Sequence, residues 1–197
     1  MNQRHKVFVS YHHDNDQTYR NKFEEMFVYH HNIMVSQSVK IGDIDEYMQT
    51  DRIRQIIREN YLRDSSVTVV LIGSETWKRK HVDWEIGASL RHTQYSPRSG
   101  LIGILLPSYR PPTQGLIQRT GYFNTTNNPD RQYYEKTTPP RLVDNVLGDF
   151  AQIYDWSSNP NEVQKWIHEA FMTRKKIIPV NSFPNFVNNR SGAEWQR

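Results

Sequence analysis

An α/β fold with a flavodoxin-like, five-stranded parallel sheet flanked by helices is what this sequence predicts, and three observations carry it. Five short apolar or β-branched runs recur along the chain, and helical periods separate most of them. The most apolar runs, Val67–Gly73 and Gly100–Leu106, read as buried strands. Strands alternating with helices fold most economically as a parallel sheet with right-handed crossovers. At 197 residues the chain holds one domain with decorations. The expected domain is 1–176, with a long insertion at about 107–145 and a C-terminal tail at 177–197.

Each element follows from local pattern. Lys6–Tyr11 is a first strand, and the polar loop His12–Asp16 follows, with Asp16 as the expected helix cap. Tyr19, Phe23, Met26 and Phe27 then repeat at helical spacing. Ile33–Val39 is a weaker strand, and the acidic loop Lys40–Glu46 leads into a helix marked by Ile53, Ile56, Ile57 and Tyr61. After the third strand, Ser74 is the expected cap of a third helix whose apolar face is Val82, Ile86 and Leu90. Pro107 stops the fourth strand, and the Pro-, Asn- and Tyr-rich stretch to about Asn145 reads as a long functional or mobile loop. Ala151–Trp156 is the fifth strand. Asn159, Pro160 and Glu162 open a last helix with buried face Val163, Trp166, Ile167, Ala170 and Phe171. The tail, with Pro179, Pro184 and several Asn, is expected to be an arm or partly disordered.

Composition narrows the chemistry. Hydrophobic residues make up 36% and aromatics 12%, enough for a core, while a mean hydropathy of -0.81 points to long polar connections. A net charge of +4 permits phosphate-bearing ligands without demanding nucleic acid. Lys78-Arg79-Lys80, the densest basic group, is too short for a patch. The absence of cysteine excludes disulfides, thiolate metal sites and cysteine nucleophiles. The N-terminus lacks a signal-peptide apolar region, and no run approaches the roughly 20 residues that span a bilayer, so a cytoplasmic protein without a membrane partner is expected.

Familiar motifs are missing. Neither GxGxxG after the first strand nor GxxxxGK[ST] occurs, so phosphates are not held by either common glycine cradle. Gly73-Ser74 stands where a receiver-type phosphoacceptor carboxylate would be. The pairs His12-His13 and His30-His31 point different ways and read as surface residues; no metal site is expected. No GxSxG anchors a nucleophile. What remains is Glu85, with Trp77 and His81 at i−8 and i−4 on one helical stripe. Ser10 and Tyr11 end the first strand at the same carboxyl edge of the sheet, where α/β folds bind ligands. From the pattern alone Glu85 is either a catalytic carboxylate or an ordinary solvated one.

Val7-Phe-Val-Ser-Tyr11 with its polar loop resembles the opening of a TIR domain. Val67–Ser74, Trp77 and Val82-Asp-Trp-Glu-Ile86 resemble that family's third strand and the helix bearing its catalytic Glu, most closely in the TIR-like subunit of bacterial Thoeris antiphage systems. The likeness covers about residues 5–106 well and the last strand and helix more loosely. It implies a TIR-like fold and cleavage of the nicotinamide–ribose bond of NAD, a substrate and not a cofactor, with Glu85 catalytic. It further implies a cyclic ADP-ribose-type messenger read by a separate effector protein, and self-association. The protein alone is expected to look inactive until a phage-derived trigger or assembly completes the site.

By the same likeness Ser10, Tyr11, His12, Asp14 and the rest of the loop to Asp16 flank the nucleotide cleft, and His12 or His13 contacts phosphate. Lys40 meets pyrophosphate or is merely solvated, and Tyr47 stacks on a ring or packs in a helix core. The sequence departs from many relatives in one respect. A Trp commonly stands four residues before the catalytic Glu, and here that position is His81 with Trp84 beside Glu85, so the Trp's role does not transfer. Trp77 and His81 are divided between pocket and packing, and Asp83 and Trp84 read as surface and core. Two other readings stand beside the enzyme: a non-catalytic TIR module acting by homotypic assembly, and a nucleoside 2-deoxyribosyltransferase-like enzyme.

Overall fold

The computed structural model describes residues 4–37, 49–93, 97–110, 122–125 and 128–195. Its centre is a five-stranded parallel sheet in the order β2-β1-β3-β4-β7, flanked by helices, which is the flavodoxin-like arrangement expected. The strands are β1 (His5–Ser10), β2 (Met34–Gln37), β3 (Val67–Ile72), β4 (Gly100–Leu105) and β7 (Ala151–Asp155). A separate antiparallel hairpin is formed by β5 (Tyr122–Thr125) and β6 (Asn128–Tyr134). The expected second strand ends within the described residues at Gln37; Ser38 and Val39 lie outside them, as do Lys40 and Tyr47.

Alternation along the strands builds two cores. Val7 and Val9 of β1, with Val67, Val69 and Leu71 of β3, pack against α1 (His13–Glu24) and α5 (Pro160–Thr173) through Phe23, Val163, Ile167 and Ala170. On the other face Val70 and Ile72 meet α3 (Lys80–Ser89) and α4 (Pro140–Leu147) through Val82, Ile86, Leu142, Val143 and Val146. Phe8 points the same way, joining Ile53, Ile57, Leu62, Trp84 and Ala88 between α2 (Thr50–Ile56) and α3. Both α1 and α2 widen into a π-helical turn, at Glu25–His30 and Ile57–Leu62. The start of α5 is as expected, with the Asn159 side chain accepting from Asn161 N. Glu162, however, accepts from Ser157 instead of closing a capping box.

Four expectations are corrected. Helix α1 is capped by His12, whose Nδ1 accepts from Asn15 N, and Asp16 lies inside the helix, buried. Ser74 does not cap α3: its Oγ donates to Ser108 O and accepts from Arg110 N, and a 3-10 turn at Thr76–Lys78 precedes a helix that starts at Lys80. The stretch from 107 to 145 is not one long loop. It includes the hairpin and the first part of α4, whose Leu142 and Val143 are fully buried; Pro139 and Pro140 read as loop signals but stand at the helix start, where a missing N–H costs nothing. The tail is neither an arm nor disordered through Trp195: Phe186 and Trp195 are buried, and its polar groups bond α3 and α4.

Gly100 opens β4 where α5 crosses closest. A Cβ there would lie 2.2 Å from the Ala170 carbonyl oxygen, a backbone atom that cannot move alone. Gly100→Ala should therefore destabilise the fold by about 1–3 kcal/mol, read as a lower urea midpoint with an unchanged m-value.

Candidate functional site

The carboxyl edge of β1 and β3 gathers most of the chemistry foreseen. Ser10, the last residue of β1, is fully buried and donates from Oγ to Glu85 Oε2 at 2.5 Å. Glu85 lies in the middle of α3 and is 2% exposed. Burial pushes its carboxyl up to about 8, and the Ser10 hydrogen bond opposes that only in part. Among the described residues no counter-ion contributes to its shift.

Around this pair sits a ladder of rings. Tyr11 is buried, donates its hydroxyl to Gln17 Oε1, and lies 4.5 Å from the His13 ring by centroid; His13 lies 4.8 Å from the His81 ring. His81, one turn before Glu85 on α3, is held down to about 3, mainly by burial and further by His13 and Arg79. Burial also lowers the pKa of His12 and His13. The expectation of surface histidines thus holds for exposed His30 and His31 but fails for His12, which is 3% exposed, and for half-buried His13. A polar helix start placed them at the closed edge of the sheet, which alternation alone does not reveal.

Outside the ladder lie the charges. Asp14 is exposed and pairs with Arg79 at 3.2 Å; Glu75 accepts from Lys78 at 2.6 Å and from Asn15 at 3.0 Å. The Asp14–Arg79 and Asn15–Glu75 bonds join the first turn of α1 to the segment after β3. Asp16 joins them from inside, accepting from Ser108 Oγ and Thr76 Oγ1 at 3.3 Å, and burial raises its pKa. A Cβ on Gly73 would come within 2.5 Å of both Asp16 carboxylate oxygens, so glycine is what admits that carboxylate.

Trp77 does not share a helical stripe with His81 and Glu85, because it belongs to the 3-10 turn before α3. Its Nε1 donates to Ser74 O, and its ring packs with Val70, Ile72 and Val82. Trp84 is core, as expected. Asp83 is not a surface residue: it is 3% exposed and accepts from Arg141 Nε at 2.7 Å and from Phe186 N at 3.0 Å. The one trace of that partnership in the sequence is an acid between Val82 and Trp84 on an apolar helix. Among the described residues no group of three or more His, Asp or Glu could hold a metal ion. No described helix is long and apolar enough to cross a membrane. Cavities of about 400 and 650 Å³ lie along β7 and α5, lined in part by Tyr154 and Glu169, and contain none of the foreseen site residues.

Burial of Glu85 has a measurable consequence. Between pH 4.5 and about 8 an unfolded chain releases this proton while the fold retains it, so stability falls as pH rises through that window and levels off above it. Glu85→Gln cannot ionise and still accepts from Ser10. Its Tm should exceed that of the unaltered chain by a margin that widens between pH 5 and about 8 in thermal melts and is constant above; a margin that does not change with pH contradicts the burial.

Comparison with known proteins agrees with this fold. A search of curated proteins finds no match. The sequence model of the family described as Thoeris protein ThsB, TIR-like domain, matches residues 8–110, just over half of the chain, from β1 through the end of β4 and including Ser10 and Glu85. The five-stranded parallel sheet is consistent with a TIR-like domain. With that match the chain belongs to the ThsB TIR-like family of Thoeris antiphage defence.

Proposed function

We propose that the chain is a TIR-type NAD-processing enzyme that cleaves the nicotinamide–ribose bond and makes a cyclic ADP-ribose-type signal for a separate effector in antiphage defence. The observation that supports this most is the 2.5 Å contact between Ser10 and a buried Glu85 at the carboxyl edge of the sheet. The scissile bond joins the ribose anomeric carbon to a pyridinium nitrogen. As it breaks, the electron pair leaves with nicotinamide, which departs neutral, so no general acid is required. Most glycosidases need a second carboxyl for that protonation. One carboxylate beside the ribose can stabilise the positive charge that develops on the sugar. Capture of that sugar cation by water gives ADP-ribose; capture by a nucleophilic atom of the same molecule gives a cyclic product.

A carboxyl held up to about 8 is largely protonated in the empty protein. The fixed positive charge of a bound pyridinium favours its ionised form and so readies it for the transition state. Ser10, Tyr11, His12, Asp14 and His81, with Lys40 and Tyr47, are the substrate-binding residues of this reading; Trp77, packed in the core, is set aside. Arg79 holds Asp14 and, through it, the start of α1 that His12 caps. With Glu85 only 2% exposed, substrate entry requires the edge to open, which agrees with an enzyme that waits for a phage-derived trigger or for self-association. The same burial favours the second reading, a TIR module that acts by assembly without turnover.

Mass spectrometry of small molecules from cells expressing the chain, with and without phage challenge, separates the two. Challenged cells should accumulate a new ADP-ribose isomer, and Glu85→Gln should reduce it by at least about a hundredfold, the scale of losing one electrostatic stabiliser. A messenger made equally well by Glu85→Gln overturns the catalytic assignment. No new nucleotide under challenge, with self-association intact, favours the interaction module.

A further inference from the structure

Tyr154 is 8% exposed, and its hydroxyl takes no hydrogen bond among the described residues. It stands on β7, the outermost strand of the sheet, and lines both cavities of about 400 and 650 Å³ along β7 and α5. Glu169 also lines both, so these two side chains mark where the cavities meet. Burial, and next the charge of Glu169, raises the pKa of Tyr154. The hydroxyl therefore keeps its proton and can both donate and accept. A largely buried polar group without a protein partner is a cost that a ligand can relieve.

The walls follow from the strand and helix periods. Tyr154 and Trp156, two residues apart, share one face at the end of β7, and Glu162, Trp166 and Glu169 recur at helical spacing on α5. The Tyr154 and Trp166 rings stack at 4.2 Å with an interplanar angle of 10°. Aromatic faces of this kind attract a cation that comes within about 6 Å. Carboxylates outnumber ammonium groups here. Asp155, Glu162 and Glu169 line the larger cavity and Asp149 the smaller, and Lys165 is the one basic residue among the described residues that line either. This acidic surplus is local, since the whole chain carries a net charge of +4. Lys165 reaches Glu169 only at 3.8 Å, with the two side chains 71% and 52% exposed, a pair weak enough for another cation to displace. Leu101, Ile102 and Ala170 give the smaller cavity an apolar bed. We propose that the two cavities form one binding site for an organic cation, an ammonium or guanidinium on an aliphatic stem. Its charged head is held by the Trp166 ring, the Glu169 carboxylate and the Tyr154 hydroxyl, and its stem lies in the smaller cavity. The site is separate from the Glu85 edge and stands whether or not Glu85 is catalytic.

Indole N–H signals of the full-length chain in nitrogen-15 NMR read this site directly, because two of its five tryptophans line the larger cavity. The signals of Trp156 and Trp166 are assigned with Trp156→Phe and Trp166→Phe. Spermidine is titrated as a free amine and acetyl-Gly-Lys-Gly-amide as a basic side chain presented by a protein, each against sodium chloride at equal ionic strength. Spermidine, the tripeptide or both should shift the Trp156 and Trp166 signals, leave those of Trp77, Trp84 and Trp195 in place, and saturate with a Kd at or below about 1 mM in low salt. Saturation by spermidine alone makes a free amine the ligand; saturation by the tripeptide makes it a basic side chain of a partner protein. Tyr154→Phe, which keeps the stacked ring, should weaken binding about tenfold, and Glu169→Gln about threefold or more. Both variants are expected to fold, since the first removes a hydroxyl without a partner and the second changes an exposed side chain. No saturable shift with either probe overturns the proposal, as do shifts that sodium chloride reproduces or that spread evenly over all five indoles. Binding that neither variant weakens also overturns it.

Discussion

The buried ion pair between Asp83 and Arg141 is the constraint on which the rest of the edge depends. Their side chains are 2% and 1% exposed, and the Nε–Oδ1 distance is 2.7 Å. Burying two charges is costly, and the cost is recovered only where the remaining donors and acceptors are satisfied. Here they are. Arg141 also donates to Asn181 O and Oδ1, to Phe183 O and to Asn185 Oδ1, while Asp83 takes Phe186 N. One guanidinium thus joins α3, α4 and the tail. Removing one partner of such a pair costs about 3–5 kcal/mol because the other charge is left alone.

That node sets the rotation of α3. At 3.6 residues per turn, residues two apart stand about 200° round a helix, so with Asp83 held toward α4 and the tail, Glu85 is turned the other way, toward β1 and Ser10. The tail completes the hold along the helix. Asn189 Oδ1 accepts from Lys80 N at the helix start, Trp84 Nε1 donates to Phe186 O midway, and Asn181 Nδ2 donates to Gly87 O near the end. The result is a dry carboxyl edge. Charges are paired at its rim, as in Asp14 with Arg79 and Glu75 with Lys78, while inside burial favours the uncharged forms of His81, Asp16 and Glu85. In the proposed function the one positive charge to enter that space is the substrate's own.

The sheet was legible because its information is local. Val67–Ile72 and Gly100–Leu105 are continuous apolar runs buried throughout, and Asn159-Pro160 marks a helix start by chain chemistry alone. Glu85 and Ser10 were legible through strand order, since ends of adjacent parallel strands share an edge. What escaped depends on partners distant in sequence. Asp83 looks like a surface acid until Arg141, 58 residues on, is placed beside it. Asp16 looks like a cap until Thr76 and Ser108 receive it. The tail's many Asn read as disorder, yet Asn181, Asn185 and Asn189 each bond an element of the domain. The i, i+4 pattern sets Trp77 on a helical stripe because the 3-10 turn that carries it leaves no mark in such a pattern.

The central claim is that α3 is held so that Glu85 lies buried against Ser10 with no counter-ion among the described residues, and a direct titration of that carboxyl tests it. Carbon-13 NMR of the side-chain carboxyl, assigned by its absence in Glu85→Gln, should follow an ionisation near pH 8 in the full-length chain. An ionisation near 4.5, the ordinary value for a glutamate, would mean that the carboxyl is solvated and would contradict the account.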